Sequence, residues 1–130
     1  MILLDTHVVI WLALEPDQIS RRGRAVIEEA RSHGLGLAIS DISLLEIAAI
    51  VSKGRVTLNA SLETFLSEIE ARFAVFPMTG RVCALAQQLP ASYPRDPADR
   101  VIGATSLVEG IPLVTADREI HRSKALRTVW

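Results

Sequence analysis

Hydrophobic and polar positions alternate between short apolar runs and longer segments with helical spacing. The short runs predict strands at residues 2–4, 37–39, 73–76 and 112–115, with a final strand at 127–130. The longer segments predict helices that begin near residues 6, 20, 41, 61, 79, 97 and 117. Strands that alternate with helices indicate an α/β fold, in which helices cover both faces of a central parallel sheet of four to five strands.

Turn and capping residues divide these elements without leaving room for a linker. Ser20, Ser61 and Thr79 precede predicted helices as N-caps, and Gly54 and Gly110 follow predicted helices as terminators. The chain has 130 residues, with no internal repeat and no low-complexity run. That length suffices to bury a core, so we expect a single domain over 1–130.

The composition is that of an ordinary soluble protein, with 49% apolar and 22% charged residues. The net charge of −1 gives no bulk signal for nucleic-acid binding, so any basic surface must be local. No apolar run is long enough to span a membrane, and no basic segment precedes the first one, which favours a cytoplasmic protein. The single cysteine, Cys83, cannot form an intrachain disulfide, and its apolar neighbours predict that it is buried.

Two acidic residues directly follow predicted strands. Asp5 comes after the first strand, and Asp117 comes after the fourth. Ligands of parallel α/β sheets bind beyond the carboxyl ends of the strands. Each aspartate alone is also typical of a helix N-cap, but two at one sheet edge indicate a site.

Glu46 lies in the apolar segment 44–51, which predicts a helix buried nearly all round. A buried carboxylate without a partner costs several kcal/mol or becomes protonated, so Glu46 predicts a bound cation. The alternative is a capping box with Ser43, three residues earlier.

Asp96 and Asp99 open the helix that begins near residue 97. Asp96 followed by Pro97 is typical of an N-cap and first helical position. Asp99 lies in the first turn, where an acid favours the helix dipole and still reaches the sheet edge.

Carboxylates gathered at one edge repel each other, by roughly 4 kcal/mol for a pair at about 4 Å in an effective dielectric near 20. Oxygen ligands without cysteine indicate Mg²⁺, with Mn²⁺ able to substitute, rather than zinc. His7 is the nearest imidazole to Asp5, and it serves either the site or local packing. Candidate cations for a phosphate backbone are Lys53, Arg55, Arg95, Arg100 and Arg118.

Four segments in order resemble the PIN-domain nucleases, and within them the VapC-type toxins of bacterial toxin–antitoxin pairs. They are residues 3–7 (LLDTH), 39–47 (ISDISLLEI), 95–100 (RDPADR) and 114–117 (VTAD). The resemblance covers nearly the whole chain and implies a PIN-like α/β/α sandwich. It departs from many PIN domains at His7, where they have Asn.

By this resemblance, Asp5, Glu46, Asp99 and Asp117 correspond to the metal-binding and catalytic acids. The resemblance further implies an Mg²⁺-dependent endoribonuclease that hydrolyses RNA phosphodiester bonds and acts as a toxin. It also implies a cognate small antitoxin as partner and a homodimer as the assembly.

Two other functions fit an acidic sheet edge. A phosphoacceptor receiver domain needs a lysine beside its acids, and the only lysines, Lys53 and Lys124, follow no clear strand. A module of the same fold could instead bind RNA or a partner without cleaving, although all four acids are present.

Overall fold

The computed structural model describes residues 1–130 and contains one sheet of five short strands. They are β1 (Ile2–Leu4), β2 (Leu37–Ser40), β3 (Ala74–Phe76), β4 (Leu113–Val114) and β5 (Thr128–Val129). All neighbouring strands are parallel, and their order across the sheet is β3-β2-β1-β4-β5. The predicted central parallel sheet is therefore confirmed.

Seven α-helices connect the strands, at positions that agree with the sequence pattern to within a few residues. They are α1 (Thr6–Leu14), α2 (Arg21–Ser32), α3 (Ile42–Ser52), α4 (Leu62–Arg72), α5 (Gly80–Gln88), α6 (Pro97–Glu109) and α7 (Arg118–Ser123). The side chains of Ser20, Ser61 and Thr79 accept hydrogen bonds from backbone N–H groups in the first turns that they cap. None of these helices combines the length and apolarity needed to cross a membrane.

The three central strands of the sheet, β2, β1 and β4, are buried on both faces. In β1, Ile2 and Leu4 pack into one apolar cluster, whereas Leu3 packs into another on the opposite side. This alternation follows from the two-residue period of a strand, and it explains why the strands of a doubly covered sheet are apolar throughout. Packing on both faces fixes the position of β1 and therefore of the residue that follows it.

Two predictions about burial are wrong. Only Ser43 and Ile47 of α3 are buried, and the Leu45 side chain is 67% exposed. Cys83 is exposed as well, because α5 packs through the face that carries Val82 and Ala86. In both helices the apolar residues outnumber those that one packed face can cover.

Candidate active site

The two strand-end acids begin helices, and Asp5 is also hydrogen-bonded to the end of the strand that precedes Asp117. Asp5 caps α1, where its Oδ1 accepts a 2.8 Å hydrogen bond from the Thr6 N–H. Its Oδ2 accepts a 2.6 Å hydrogen bond from the Thr115 hydroxyl at the end of β4. Asp117 caps α7 through Oδ1, which accepts from the N–H of Glu119 at 2.8 Å. The N-cap role and the sheet-edge position therefore coexist in both aspartates.

Glu46 lies in the interior of α3 and is held from α1. The helix begins at Ile42, so Ser43 is inside it and the capping-box alternative is excluded. Oγ1 of Thr6 lies 2.6 Å from Oε1 of Glu46 and 2.9 Å from Oγ of Ser43. Because an ionised carboxylate only accepts, Thr6 donates its single hydroxyl proton to Glu46.

The first turn of α6 brings two further carboxylates to Glu46. Asp96 is the N-cap, and its Oδ1 accepts a 3.1 Å hydrogen bond from the Asp99 N–H. Carboxylate oxygens of Glu46, Asp96 and Asp99 all lie within 4.8 Å of one another. Asp96, which sequence reasoning placed mainly as a cap, is thus spatially part of the acidic group.

Tyr93 and Arg100 hold the first turn of α6 in place through hydrogen bonds to backbone carbonyl groups. The buried Tyr93 hydroxyl donates a 2.8 Å hydrogen bond to the Asp99 carbonyl. Nη1 of Arg100 donates to the carbonyl oxygens of Ala86 at 3.1 Å and Leu89 at 3.3 Å. Arg100 was a candidate cation for a phosphate backbone, and in the structure its guanidinium donates to carbonyl groups at the end of α5 and just after it.

All four acids predicted from the sequence line one cavity of about 310 Å³. Its walls are Asp5, His7, Val8, Trp11, Glu46, Asp99, Ala116 and Asp117. His7 is exposed at this cavity, with its ring centroid 5.9 Å from that of Trp11. Neither lysine of the chain is among the walls, so the arrangement lacks the cation that a receiver domain requires. We call this the acidic cavity.

The charges of the acidic cavity are not neutralised by the chain itself. Both ion pairs of the protein involve arginines of α2, Arg24 with Asp17 and Arg31 with Glu28. Burial raises the pKa of Asp5, although the hydrogen bond from Thr115 opposes this rise. Burial likewise raises the pKa of Glu46.

The pKa of the Asp99 carboxyl group is raised as well. Burial, followed by repulsion from Asp5 and Asp96, raises the pKa of Asp99 to about 7. Such shifts express mainly the cost of burying charged carboxylates, to which repulsion between them adds. An all-carboxylate donor set with unneutralised charge fits a hard divalent cation, which accepts oxygen ligands and compensates the repulsion.

The hydroxyl residues of the site escaped sequence reasoning. Thr6 and Thr115 each fix one carboxylate, yet 40 and 110 positions separate the bonded partners. The available local signal was weak: Thr6 directly follows Asp5, and Thr115 comes two residues before Asp117.

The parallel sheet, with carboxylates gathered at its carboxyl edge, is that of a PIN domain. The chain matches the PIN domain over residues 2–126 and belongs to that family. It is 37% identical to Ribonuclease VapC22 of Mycobacterium tuberculosis over 131 aligned positions, which cover 99% of this chain and 98% of that protein.

Solved structures share the fold over nearly the full length. VapBC2 from Rickettsia felis, bound to a DNA fragment from its promoter, superposes with a TM-score of 0.73 at 18% identity, covering 98% of this chain and 97% of that chain. DNA-bound VapBC from Salmonella typhimurium gives a TM-score of 0.70 at 20% identity, with the same coverage.

Proposed function

We propose that the chain is a metal-dependent endoribonuclease that hydrolyses RNA and acts as the toxin of a toxin–antitoxin pair. The observation that carries this proposal is the acidic cavity, where four carboxylates converge with no lysine or arginine paired to them. Membership of the PIN domain family and the likeness to a protein named Ribonuclease VapC22 support RNA as the substrate.

Asp5, Glu46, Asp99 and Asp117 would hold Mg²⁺, with Mn²⁺ able to substitute, and Asp96 adds a fifth carboxylate beside Glu46 and Asp99. A cation held there would supply activation of water for attack on the phosphodiester and stabilisation of the charge that develops on the leaving oxygen. The threonine hydroxyls fix the carboxylate orientations, so the ligands are preorganised before the substrate arrives.

The experiment is cleavage of a 5′-labelled single-stranded RNA with Mg²⁺, with Mn²⁺ and with excess EDTA. We expect cleavage only with a divalent cation, and none with Asp99→Asn. Glu63→Gln removes an exposed acid of α4 and is the matched control, which should cleave as the wild type does. Full cleavage in excess EDTA would overturn the metal mechanism, and an active Asp99→Asn would overturn the ligand assignment.

An apolar groove of about 700 Å³ supports the partner part of the proposal. It lies between the ends of α1, α2 and α4, and its apolar walls include Val9, Leu12, Leu14, Leu58, Phe65 and Phe73. A groove of this kind accepts the apolar face of an amphipathic helix. We assign it to the cognate small antitoxin, from which an arginine could reach two carboxylates of the acidic cavity in place of the metal.

The exposed side of α3 supports a homodimer. Leu45 is 67% exposed and Ala49 is exposed one turn later, so the helix presents apolar surface to solvent. We expect the purified chain to have the mass of a dimer by light scattering and Leu45→Lys to shift it toward the monomer. Unchanged dimer mass in Leu45→Lys would place the interface elsewhere.

We propose that the single domain acts in the cytoplasm, where RNA is available and the exposed Cys83 thiol stays reduced.

A further inference from the structure

A second cavity adjoins the acidic cavity and has the opposite charge. It has a volume of about 570 Å³ and is lined by Ala116, Arg118, His121, Arg122 and Trp130. Ala116 also lines the acidic cavity, so one residue separates the two. The size lies in the range of cavities that bind small organic groups, about 300–1,000 Å³. We call it the Trp130 cavity.

Two arginine side chains without ion-pair partners lie on one side of the Trp130 cavity. Arg118 and Arg122 are four residues apart on α7, so their side chains share a face of the helix. Both are exposed, and neither forms an ion pair. A chain with a net charge of −1 therefore places a local positive surface directly beside its most negative cavity. A ligand that spans both cavities must carry a phosphate-like anion beside the two arginines. Next to it, the ligand must carry a group that binds the cation held by the carboxylates.

The rest of the Trp130 cavity is aromatic and rigidly held. The ring centroids of Trp130 and Trp11 are 5.8 Å apart, and Trp11 itself lines the acidic cavity. Nε2 of His121 lies 2.6 Å from the Thr115 carbonyl oxygen, and Nδ1 lies 2.7 Å from Oγ1 of Thr128. Because both ring nitrogens of His121 are engaged, this side chain forms a fixed wall and leaves Trp130 as the available aromatic surface.

We propose that the Trp130 cavity binds the nucleotide next to the scissile phosphate of single-stranded RNA. The base stacks on the indole of Trp130, and Arg118 and Arg122 hold the adjoining phosphate. An aromatic platform beside cations is the arrangement that proteins use for unpaired nucleotides, because only an unpaired base can present its face. The inference rests on the proposed ribonuclease function and adds a preference for single strands.

The first test separates substrate binding from chemistry. Arg118→Gln/Arg122→Gln should raise KM for a single-stranded RNA about tenfold while kcat stays within about twofold, and should lower the slope of log KM against log salt by about one. Arg72→Gln/Arg81→Gln is the matched control. It removes the same charge from two exposed arginines, one at the end of α4 and one in the first turn of α5, and neither lines either cavity. Equal KM values and salt slopes in the two double variants overturn the inference and leave the ribonuclease function intact.

The second test needs no cleavage. The chain has two tryptophans, so Trp11→Phe in the Asp99→Asn background leaves Trp130 as the only indole. A mixed-sequence single-stranded RNA 10-mer should quench its fluorescence with saturation, and the same strand annealed to its complement should quench about tenfold more weakly. Equal quenching by the two probes, or none, overturns the inference. Absence of RNA cleavage by the wild type overturns the ribonuclease function. The quenching experiment still tests whether the Trp130 cavity binds single-stranded RNA.

Discussion

Oγ1 of Thr115 donates a 2.6 Å hydrogen bond to Oδ2 of Asp5, although 110 positions separate the two residues. The bond connects the ends of β1 and β4, which are neighbours in the sheet. Oγ1 of Thr115 also accepts from the Asp117 N–H at 3.1 Å, so one hydroxyl fixes both strand-end acids.

Thr115→Val should therefore damage the site more than the fold. The isosteric change removes the donor, which leaves a carboxylate oxygen of Asp5 unsatisfied at a cost of about 1–3 kcal/mol and raises the pKa of Asp5 further. We expect weaker Mg²⁺ binding by calorimetry together with loss of cleavage. Thr115→Ser keeps the hydroxyl and should retain both. Wild-type metal affinity in Thr115→Val would show that the hydrogen bond does not orient the ligand.

Gly103 makes room for the ring of Tyr93. A Cβ at this position would overlap the Tyr93 hydroxyl, which holds the Asp99 carbonyl. Gly103→Ala should lower the free energy of unfolding by about 1–3 kcal/mol through overpacking, measured by urea denaturation. Gly80→Ala is the matched control, since a Cβ there meets nothing within 4 Å. Equal stability of the two variants would contradict the packing role of Gly103.

Asp96 combines a capping role with a charge beside Glu46 and Asp99, and two substitutions separate these roles. Asp96→Ala removes both and should cost about 1 kcal/mol of stability as well as metal affinity. Asp96→Asn keeps an acceptor for the Asp99 N–H, so it should retain stability and lose only metal affinity. Unfolding and metal titrations of both variants measure this. If Asp96→Asn binds Mg²⁺ as the wild type does, Asp96 is a cap alone.

The metal-free protein should lose stability as the pH rises. The pKa of Asp99 is about 7 in the folded chain against an ordinary value of 3.8, so between these values the folded state binds more protons than the unfolded state. The free energy of unfolding then falls with rising pH, and the raised pKa values of Asp5 and Glu46 act in the same direction. In EDTA, the difference between the Tm of Asp99→Asn and that of the wild type should increase as the pH rises from 5 to 8. A constant difference across that range would contradict the assignment.

Leu14 tests the apolar groove. Leu14→Asp places a charge on a wall of the groove, at a side chain that is already 37% exposed, so it should spare the fold. We expect it to escape neutralisation by the proposed antitoxin when both are expressed together, and growth to stop. Leu107→Asp is the control, because Leu107 is 39% exposed on α6 and lies outside the groove. Equal neutralisation of both variants would exclude the groove as the partner site.

The sequence pattern was most informative about elements whose buried residues recur at regular spacing. The apolar runs located the strands, and the acids that follow Leu4 and Ala116 could be placed at one edge because parallel strands end together. Glu46 was identified by its apolar neighbours, although the helix proved only partly buried. Glu46 lines the acidic cavity, but the prediction overestimated the burial of its helix, since apolar composition does not tell which neighbours a helix will have.

Contacts between distant, small polar groups could not be predicted in this way. The hydroxyls of Thr6 and Thr115 have no periodicity, and the guanidinium of Arg100 has nothing in its sequence neighbourhood that distinguishes a carbonyl ligand from a solvated charge. The exposure of Cys83 depends on which face of α5 meets α6. Each of these contacts depends on the packing of elements that are distant in the sequence, so only the three-dimensional structure reveals it.

The central position of β1 has a consequence for how the protein is made. Asp5 emerges from the ribosome early, but its neighbouring strand β4 and the residues Thr115 and Asp117 are synthesised more than 100 positions later. Until then the strand has only one of its two neighbours, and the acids have no common cavity. A nascent chain therefore lacks the complete acidic cavity throughout most of its translation, and the proposed antitoxin has that interval to be present when the last strands dock.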